Sequence, residues 1–323
     1  MAVMAAIFFS SFVTRHTPTI YMIGDSTMAN KKLDNNNQER GWGMVLPCYF
    51  SDDVRIENHA VNGRSSKSFI DEGRWQKVLD KLLPGDYVFI QFGHNDEKPQ
   101  PERHTEPGST FDENLSRFVR EAREKGAHPV LFNSVVRRNF VVQTPENDDD
   151  EALRSQNFSA QNVKEGTTLT DTHGEYTRVP QRVAESLGVP FVDANRITHE
   201  LEQQLGPKAS RDLHMWFYPG DPRLPAGRQD NTHYCVRGAH VVASLLADAI
   251  VEAVPALKPF VRHYDLTVAA DGSAVYFSPQ AAVDAAPAGK TSTIMVAAGQ
   301  WQRPVVPPYK KVRFVMREGA TWK

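Results

Sequence analysis

Short apolar runs rich in Val, Ile and Phe alternate with longer helical patterns from residue 19 to about residue 254. That alternation is what βαβ units with a parallel sheet produce. The strand candidates are 19–23, 54–61, 87–92, 129–134 and 189–193. Each is nearly continuous in apolar residues, as expected for strands covered on both faces. Helical periodicity is clearest over 110–125, where Phe111, Leu115, Phe118 and Ala122 recur on one face. Thr110 with Glu113 forms a candidate capping box there, and Gly126 ends the helix. Further helices are predicted at 75–83, 175–187 and 237–253. Between them, residues 140–171 turn polar and include Asp148-Asp149-Asp150-Glu151, which reads as a solvated insertion loop rather than a cation site.

Composition excludes several classes of function. The chain of 323 residues is 40% hydrophobic and 24% charged, which is enough apolar material for one large core and an appendage. Its 37 basic and 39 acidic side chains leave a net charge of -2, so no general attraction for nucleic acid or an anionic membrane is expected. The apolar run at the start, residues 1–17, reads as the remnant of a signal peptide, which would make the protein secreted or periplasmic, or as an apolar strand or helix of the domain. It is too short to span a bilayer, and no membrane association is expected. Cys48 and Cys235 are too few and too far apart for a disulfide scaffold or a zinc site, and read as two buried free thiols.

The chemistry concentrates at the predicted strand ends. Gly24-Asp25-Ser26-Thr27 follows the first strand, where open parallel sheets bind ligands, and a glycine there permits a tight turn that exposes the serine. Alone the triplet is weak, since Asp and Ser are both favoured helix caps. A nucleophilic serine also needs a base, an orienting carboxylate and oxyanion donors. Asp230-Asn231-Thr232-His233 precedes the helix predicted from Arg237 and offers a carboxylate and an imidazole three residues apart. On a loop entering that helix, Asp230 would hold one ring nitrogen of His233 while the other faces the serine. Asn62-Gly63-Arg64 and Gly93-His94-Asn95-Asp96 follow the second and third strands. Gly63 offers an unobstructed N–H and Asn95 a side-chain amide, which with the Ser26 N–H would make an oxyanion hole. Each block taken singly is also ordinary turn chemistry.

Taken together and in this order, Gly24-Asp25-Ser26, Gly63, Gly93-His94-Asn95-Asp96 and Asp230-Asn231-Thr232-His233 resemble the sequence blocks of the SGNH (GDSL-like) hydrolases. Gly41-Trp42-Gly43, residues 63–69 and the stretch from Pro219-Gly220 to Gly238-Ala239 resemble the rhamnogalacturonan acetylesterase branch. The resemblance covers residues 18–255. It implies an α/β fold, a flavodoxin-like three-layer α/β/α sandwich on a five-stranded parallel sheet, and removal of O-acetyl groups from pectin without metal or organic cofactor. By position it makes Ser26 the nucleophile, His233 the base and then the acid, and Asp230 its partner. Ser26, Gly63 and Asn95 match the oxyanion-hole positions. Trp42 and Arg64 would line the sugar site, a core tryptophan and a structural arginine being the other readings. His94 reads as structural. The expected partner is an acetylated pectic polysaccharide, gripped locally by side chains such as Arg64 and Lys67, with the protein acting as a monomer. The alternatives are an esterase or lipase for other acyl esters or acetylated xylan, and a non-catalytic pectin-binding module.

After Pro255 the pattern changes to apparent β-hairpin pieces with turns at Asp271-Gly272 and Ala288-Gly289. Residues 262–323 resemble the opening of a pectin methylesterase: a strand, an Asp271-Gly272-Ser273 turn, a helix around Gln280 to Asp284, then the strand from Thr293. The resemblance implies the first coil of a parallel β-helix, truncated at Lys323 and without methylesterase activity, the other reading being a C-terminal β extension that belongs to the first domain's own family. One solenoid coil buries its face only against its neighbours, so this segment is expected to dock on the first domain or to be poorly stable.

Overall fold

A computed structural model describes residues 17–140 and 165–323. The apolar run at the start and the acidic stretch around Asp148 lie outside the described residues. The strands of the central sheet are β1 (Thr19–Gly24), β2 (Arg55–Asn58), β3 (Tyr87–Gln91), β4 (His128–Phe132) and β5 (Phe191–Val192). They pair in parallel in the order β2-β1-β3-β4-β5. Alternate side chains of β1 enter different cores, as the two-residue period of a strand requires. Ile20 and Met22 pack with Trp42, Phe89 and Phe132, and Tyr21 and Ile23 pack with Phe69, Trp75 and Phe118. β2, at the sheet edge, departs most from the fully apolar expectation: Arg55 is exposed and the rest of the strand half-buried.

The helices that cover the sheet are α1 (Trp42–Val45), α2 (Ser66–Asp71), α3 (Arg74–Leu79), α4 (Thr110–Glu124), α5 (Val179–Leu187), α6 (Ala194–Ala209) and α7 (Val236–Ala253). Helices α2 to α5 contribute to the core with Phe69 and Phe118, and α1 and α7 to the one with Trp42 and Leu246. Helix α4 starts as predicted but not by the predicted cap. Ser109 is its N-cap residue and makes no side-chain cap bond. The Thr110 hydroxyl instead accepts from the Glu106 N–H (2.8 Å), which takes it out of the capping box. Helix α6 was not anticipated from its sequence; Gly206, at φ 73°, and Pro207 interrupt its last turn.

An antiparallel pair, β6 (His214–Phe217) with β7 (Arg228–Tyr234), lies outside the main sheet. Asp230 and His233 therefore sit on a strand, not on the loop the sequence suggested. Helix α7 starts next to it and is drawn in close, because a Cβ on Gly238 would stand 1.8 Å from the Leu213 carbonyl oxygen.

The remaining elements are β8 (Leu266–Val268), α8 (Pro279–Ala285), β9 (Thr291–Val296), β10 (Gly299–Trp301), β11 (Lys311–Met316) and β12 (Ala320–Trp322). Here the hairpin expectation fails. β8, β9 and β11 form one parallel sheet in the order β11-β9-β8, and β10 pairs in parallel with β12. The turns at Asp271-Gly272 and Ala288-Gly289 are present, but α8 lies between them. Parallel neighbours need such a crossover, whereas a hairpin needs only a tight turn. This module has its own apolar cluster around Val268, Val283, Ile294 and Trp301. It is also docked, with Ala269, Ala274 and Met295 joining the main core. Polar ties add to the docking: Arg317 Nε donates to Asp52 (2.6 Å) and Arg40 Nε to the Gly272 carbonyl (2.8 Å).

Candidate active site

Strand order 2-1-3-4-5 places the switch in chain direction between β1 and β3, where open parallel sheets form a crevice beyond their carboxyl ends. Ser26, Gly63 and Asn95 follow β1, β2 and β3 and line a cavity of about 250 Å³ there, together with His233 from β7. The Ser26 hydroxyl lies 2.7 Å from His233 Nε2. His233 Nδ1 lies 3.0 Å from Asp230 Oδ2, and both side chains are buried. A carboxylate can only accept here, so Asp230 fixes the proton on Nδ1 and leaves Nε2 to take the serine proton. Asp230 Oδ1 meanwhile accepts from the backbone N–H groups of Thr232 (2.9 Å) and His233 (3.0 Å), which sets its plane against the ring.

The serine turn is held from below by a chain of hydrogen bonds that ends on a buried carboxyl group. Trp42 Nε1 donates to Gln91 Oε1 (2.6 Å), Gln91 Nε2 to the Thr27 hydroxyl (2.9 Å), and that hydroxyl to Asp25 Oδ1 (2.8 Å). Asp25 also accepts from the Thr27 N–H (2.8 Å) and is fully buried, which raises its pKa. Trp42 is fully buried and stacks at a tilt with Phe132, so the expectation that it lines the sugar site is corrected. Its flanking glycines explain the motif. A Cβ at Gly41 would stand 2.3 Å from the Ala29 carbonyl oxygen, and one at Gly43 2.7 Å from that of Met28. Gly41-Trp42-Gly43 is a close-packed support under the Ser26 turn.

The oxyanion-hole candidates are fixed in the same local fashion. Gly63 needs its glycine for conformation, with φ at +74° and, among the described residues beyond its chain neighbours, no atom within 4 Å of an added Cβ. Asn95 Nδ2 donates to the Arg64 carbonyl (3.2 Å) and retains a second N–H, while Arg103 Nη1 lies 3.5 Å from its Oδ1. Asp96 joins the two blocks by accepting from the Ser66 N–H (3.0 Å), the Gly93 N–H (3.1 Å) and the Thr105 hydroxyl (3.1 Å). Burial dominates its titration and raises its pKa to about 7 despite these bonds.

Arg64 does not line the cavity beside Ser26. Its guanidinium is committed to Glu72 (3.1 Å) and to the Asn62 carbonyl (3.0 Å), at the rim of an adjoining depression of about 400 Å³. Lys67 is likewise tied to the Pro101 carbonyl. The cations that do line the cavity include Lys98 and Arg103, neither singled out from the sequence.

Sequence reasoning also missed the charged frame around the triad. Lys31, buried at 7% exposure, donates to the Ser26 carbonyl (2.6 Å) and to Asn62 Oδ1 (2.6 Å), and pairs with Glu39 (2.8 Å). Arg228 bridges Glu39 (3.1 Å) and Asp230 Oδ2 (2.5 Å). Burial opposes ionisation of Glu39, but His233, Lys31 and Arg228 outweigh it and hold its pKa at about 2. Arg138, fully buried, donates to Asn231 Oδ1 (2.8 Å) and to the Ser210 hydroxyl (2.9 Å) and pairs with Glu165, clamping β7 between Asp230 and Thr232. Two adjacent arginines at the end of an apolar run, Arg137-Arg138, were the available signal.

Cys48 and Cys235 are free and buried, and burial pushes the Cys48 thiol up to about 12. Among the described residues no group of His, Cys, Asp and Glu is arranged to hold a metal ion, and no helix is long and apolar enough to cross a membrane.

The GDSL-like Lipase/Acylhydrolase family matches residues 22–241, a span that contains every residue of this site. The chain belongs to that family. It is an ester hydrolase on the α/β sandwich described above. It is 38% identical to the rhamnogalacturonan acetylesterase RhgT of Bacillus subtilis over 72% of this chain and 89% of that protein. A rhamnogalacturonan acetylesterase of Emericella nidulans is 30% identical over 76% of this chain and 90% of that one. The crystal structure of YxiM from Bacillus subtilis superposes with a TM-score of 0.55 at 24% identity, over 73% of this chain and 57% of that one, and supports the fold. The matches to both acetylesterases leave roughly a quarter of this chain uncovered.

Proposed function

We propose that this hydrolase removes O-acetyl groups from rhamnogalacturonan by two-step acyl transfer. Ser26 Oγ attacks the acetyl carbonyl as His233 Nε2 takes its proton, and the oxyanion is received by the N–H groups of Ser26 and Gly63 and the amide of Asn95. His233 then protonates the departing sugar oxygen. Water, deprotonated by the same nitrogen, attacks the acetyl-serine, acetate leaves, and Ser26 regains its proton.

The observation that carries this reading is the 2.7 Å contact between Ser26 Oγ and His233 Nε2, backed by Asp230, in a chain 38% identical to a rhamnogalacturonan acetylesterase. Lys98 and Arg103 on the cavity wall suit an acidic polymer that the net charge of -2 does not attract. The test is acetate release from acetylated rhamnogalacturonan by the Ser26→Ala protein. Turnover at the parent rate would remove Ser26 from the mechanism.

The parallel order β11-β9-β8, with α8 as a crossover, supports reading residues 262–323 as the opening coil of a solenoid resembling pectin methylesterase. Its place in this protein is then to close the main core beside Cys48 and Asp52, through the Ser273 carbonyl and Arg317, and not to catalyse.

A further inference from the structure

A second histidine reaches the cavity, and the triad does not use it. His94 is 3% exposed and lines the same cavity as Ser26 and His233. Its Nδ1 lies 2.8 Å from His173 Nε2, and His173 Nδ1 lies 2.6 Å from Asp171 Oδ1. Its backbone carbonyl accepts from Arg137 Nη2 (3.3 Å). Its Nε2 has no hydrogen-bond partner among the described residues.

The proton positions in this chain follow from its far end. The Asp171 carboxylate is held ionised: burial opposes the charge, but hydrogen bonds from His173 and Asn195 outweigh it and lower its pKa. It accepts, so His173 Nδ1 carries the proton and His173 Nε2 presents a lone pair. His94 Nδ1 must therefore donate to His173, which leaves His94 Nε2 as a bare acceptor. Protonating the His94 ring is opposed by Arg137, whose guanidinium holds both the His94 carbonyl and the Thr172 hydroxyl. Burial and the neighbouring His173 drive the His94 pKa well below its ordinary value, in keeping with a neutral ring.

A buried acceptor without a donor costs free energy until one arrives. The ester carbonyl, the acetyl methyl and a uronate carboxylate offer no donor, whereas a sugar hydroxyl does. We infer that His94 Nε2 accepts a hydrogen bond from the free hydroxyl beside the acetylated oxygen, so that the enzyme selects sugars carrying one acetyl group next to an unsubstituted hydroxyl. His173 and Asp171 are positioning residues that fix the tautomer. This inference rests on the acetylesterase reading and adds to it a rule about the acetylation pattern.

The test compares a methyl galacturonoside carrying one acetyl group beside a free hydroxyl with the same compound methylated on that hydroxyl. The wild-type protein should favour the free hydroxyl by about 10-fold or more in kcat/KM, the scale of one polar contact to a buried group. In His94→Phe that preference should collapse toward one. Asp171→Asn, two hydrogen bonds away from His94, can accept or donate, and should lower the preference by a smaller factor. A purely structural role for His94, or a role in holding the hydrolytic water, would lower both rates together and keep the ratio, which would overturn the inference. So would a wild-type ratio near one. If His94→Phe does not fold, an unchanged ratio in Asp171→Asn overturns it. Failure of the acetylesterase reading is distinguishable, because the wild-type protein would then release acetate from neither compound.

Discussion

Ser26 and His233 meet at 2.7 Å but arrive on different kinds of support. The serine turn continues β1, inside the five-stranded sheet, and is braced mainly by side-chain hydrogen bonds, Trp42 on Gln91, Gln91 on Thr27 and Thr27 on Asp25, with one cation, Lys31, on the Ser26 carbonyl. The Asp230–His233 arm stands on β7, which has one antiparallel neighbour, and is braced by ions: Lys31 and Arg228 on Glu39, Arg228 on Asp230, Arg138 on Asn231. A wide sheet fixes a turn by packing and needs little charge. A two-stranded ribbon has too little core of its own to do this, and buried ion pairs supply the geometry instead, at a desolvation cost. Substitutions on the serine side should therefore act through packing, and those on the histidine side through charge and pH.

The largest effect expected is on the arm itself. His233→Ala removes the proposed base, and kcat should fall by roughly 10⁴–10⁶-fold in acetate release, as when one member of a coupled triad is lost. A loss below 100-fold would mean that another group takes the serine proton. Asn95→Ala removes one proposed oxyanion donor and should cost on the order of 10²–10³ in kcat with little change in KM. An effect confined to KM would instead place Asn95 in ground-state binding.

Next in size is Glu39. Its folded pKa of about 2 lies below the reference of 4.5, a depression worth on the order of 3 kcal/mol at about 1.4 kcal/mol per unit. A lowered pKa means that the stabilisation is present above pH 4.5 and lost as pH falls through about 2. Glu39→Gln should thus be less stable than the parent near neutrality, with the difference closing on acidification, as measured by urea unfolding across that range. A difference that does not change with pH would break the contrast between the ion-paired arm and the serine side. The smallest effect belongs to the serine side. Trp42→Phe leaves Gln91 Oε1 unpaired and should cost about 1–3 kcal/mol of stability, with KM for the polysaccharide unchanged. A raised KM would restore Trp42 to the sugar site.

The same contrast marks what could be read from the sequence. Continuous apolar strands and the residues that follow them are local signals, so β1 to β5, the serine turn, Gly63 and Asn95 were legible, as was the pairing of Asp230 with His233 by spacing. The frame of Lys31, Glu39, Arg138 and Arg228 was not, because ions paired across long stretches of chain leave no periodicity. β6 and β7 escaped for a related reason: β7, with its Gln229-Asp230-Asn231, reads as polar loop. Trp42 was misread because a tryptophan between glycines suits a sugar platform and a close-packed support equally well, and only the backbone of Met28 and Ala29 beneath it decides. At the C-terminal end, the order of strand, turn, helix and strand was legible, but turn residues alone suggested hairpins where the strands pair in parallel.

The central claim is that Ser26 is the acyl acceptor, and covalent labelling tests it most directly. Incubation with a p-nitrophenyl alkylphosphonate followed by peptide mass analysis should place one phosphonyl group on Ser26, with complete loss of acetate release and no labelling of Ser26→Ala. Activity retained after full labelling, or a label on another residue with Ser26 intact, would contradict it.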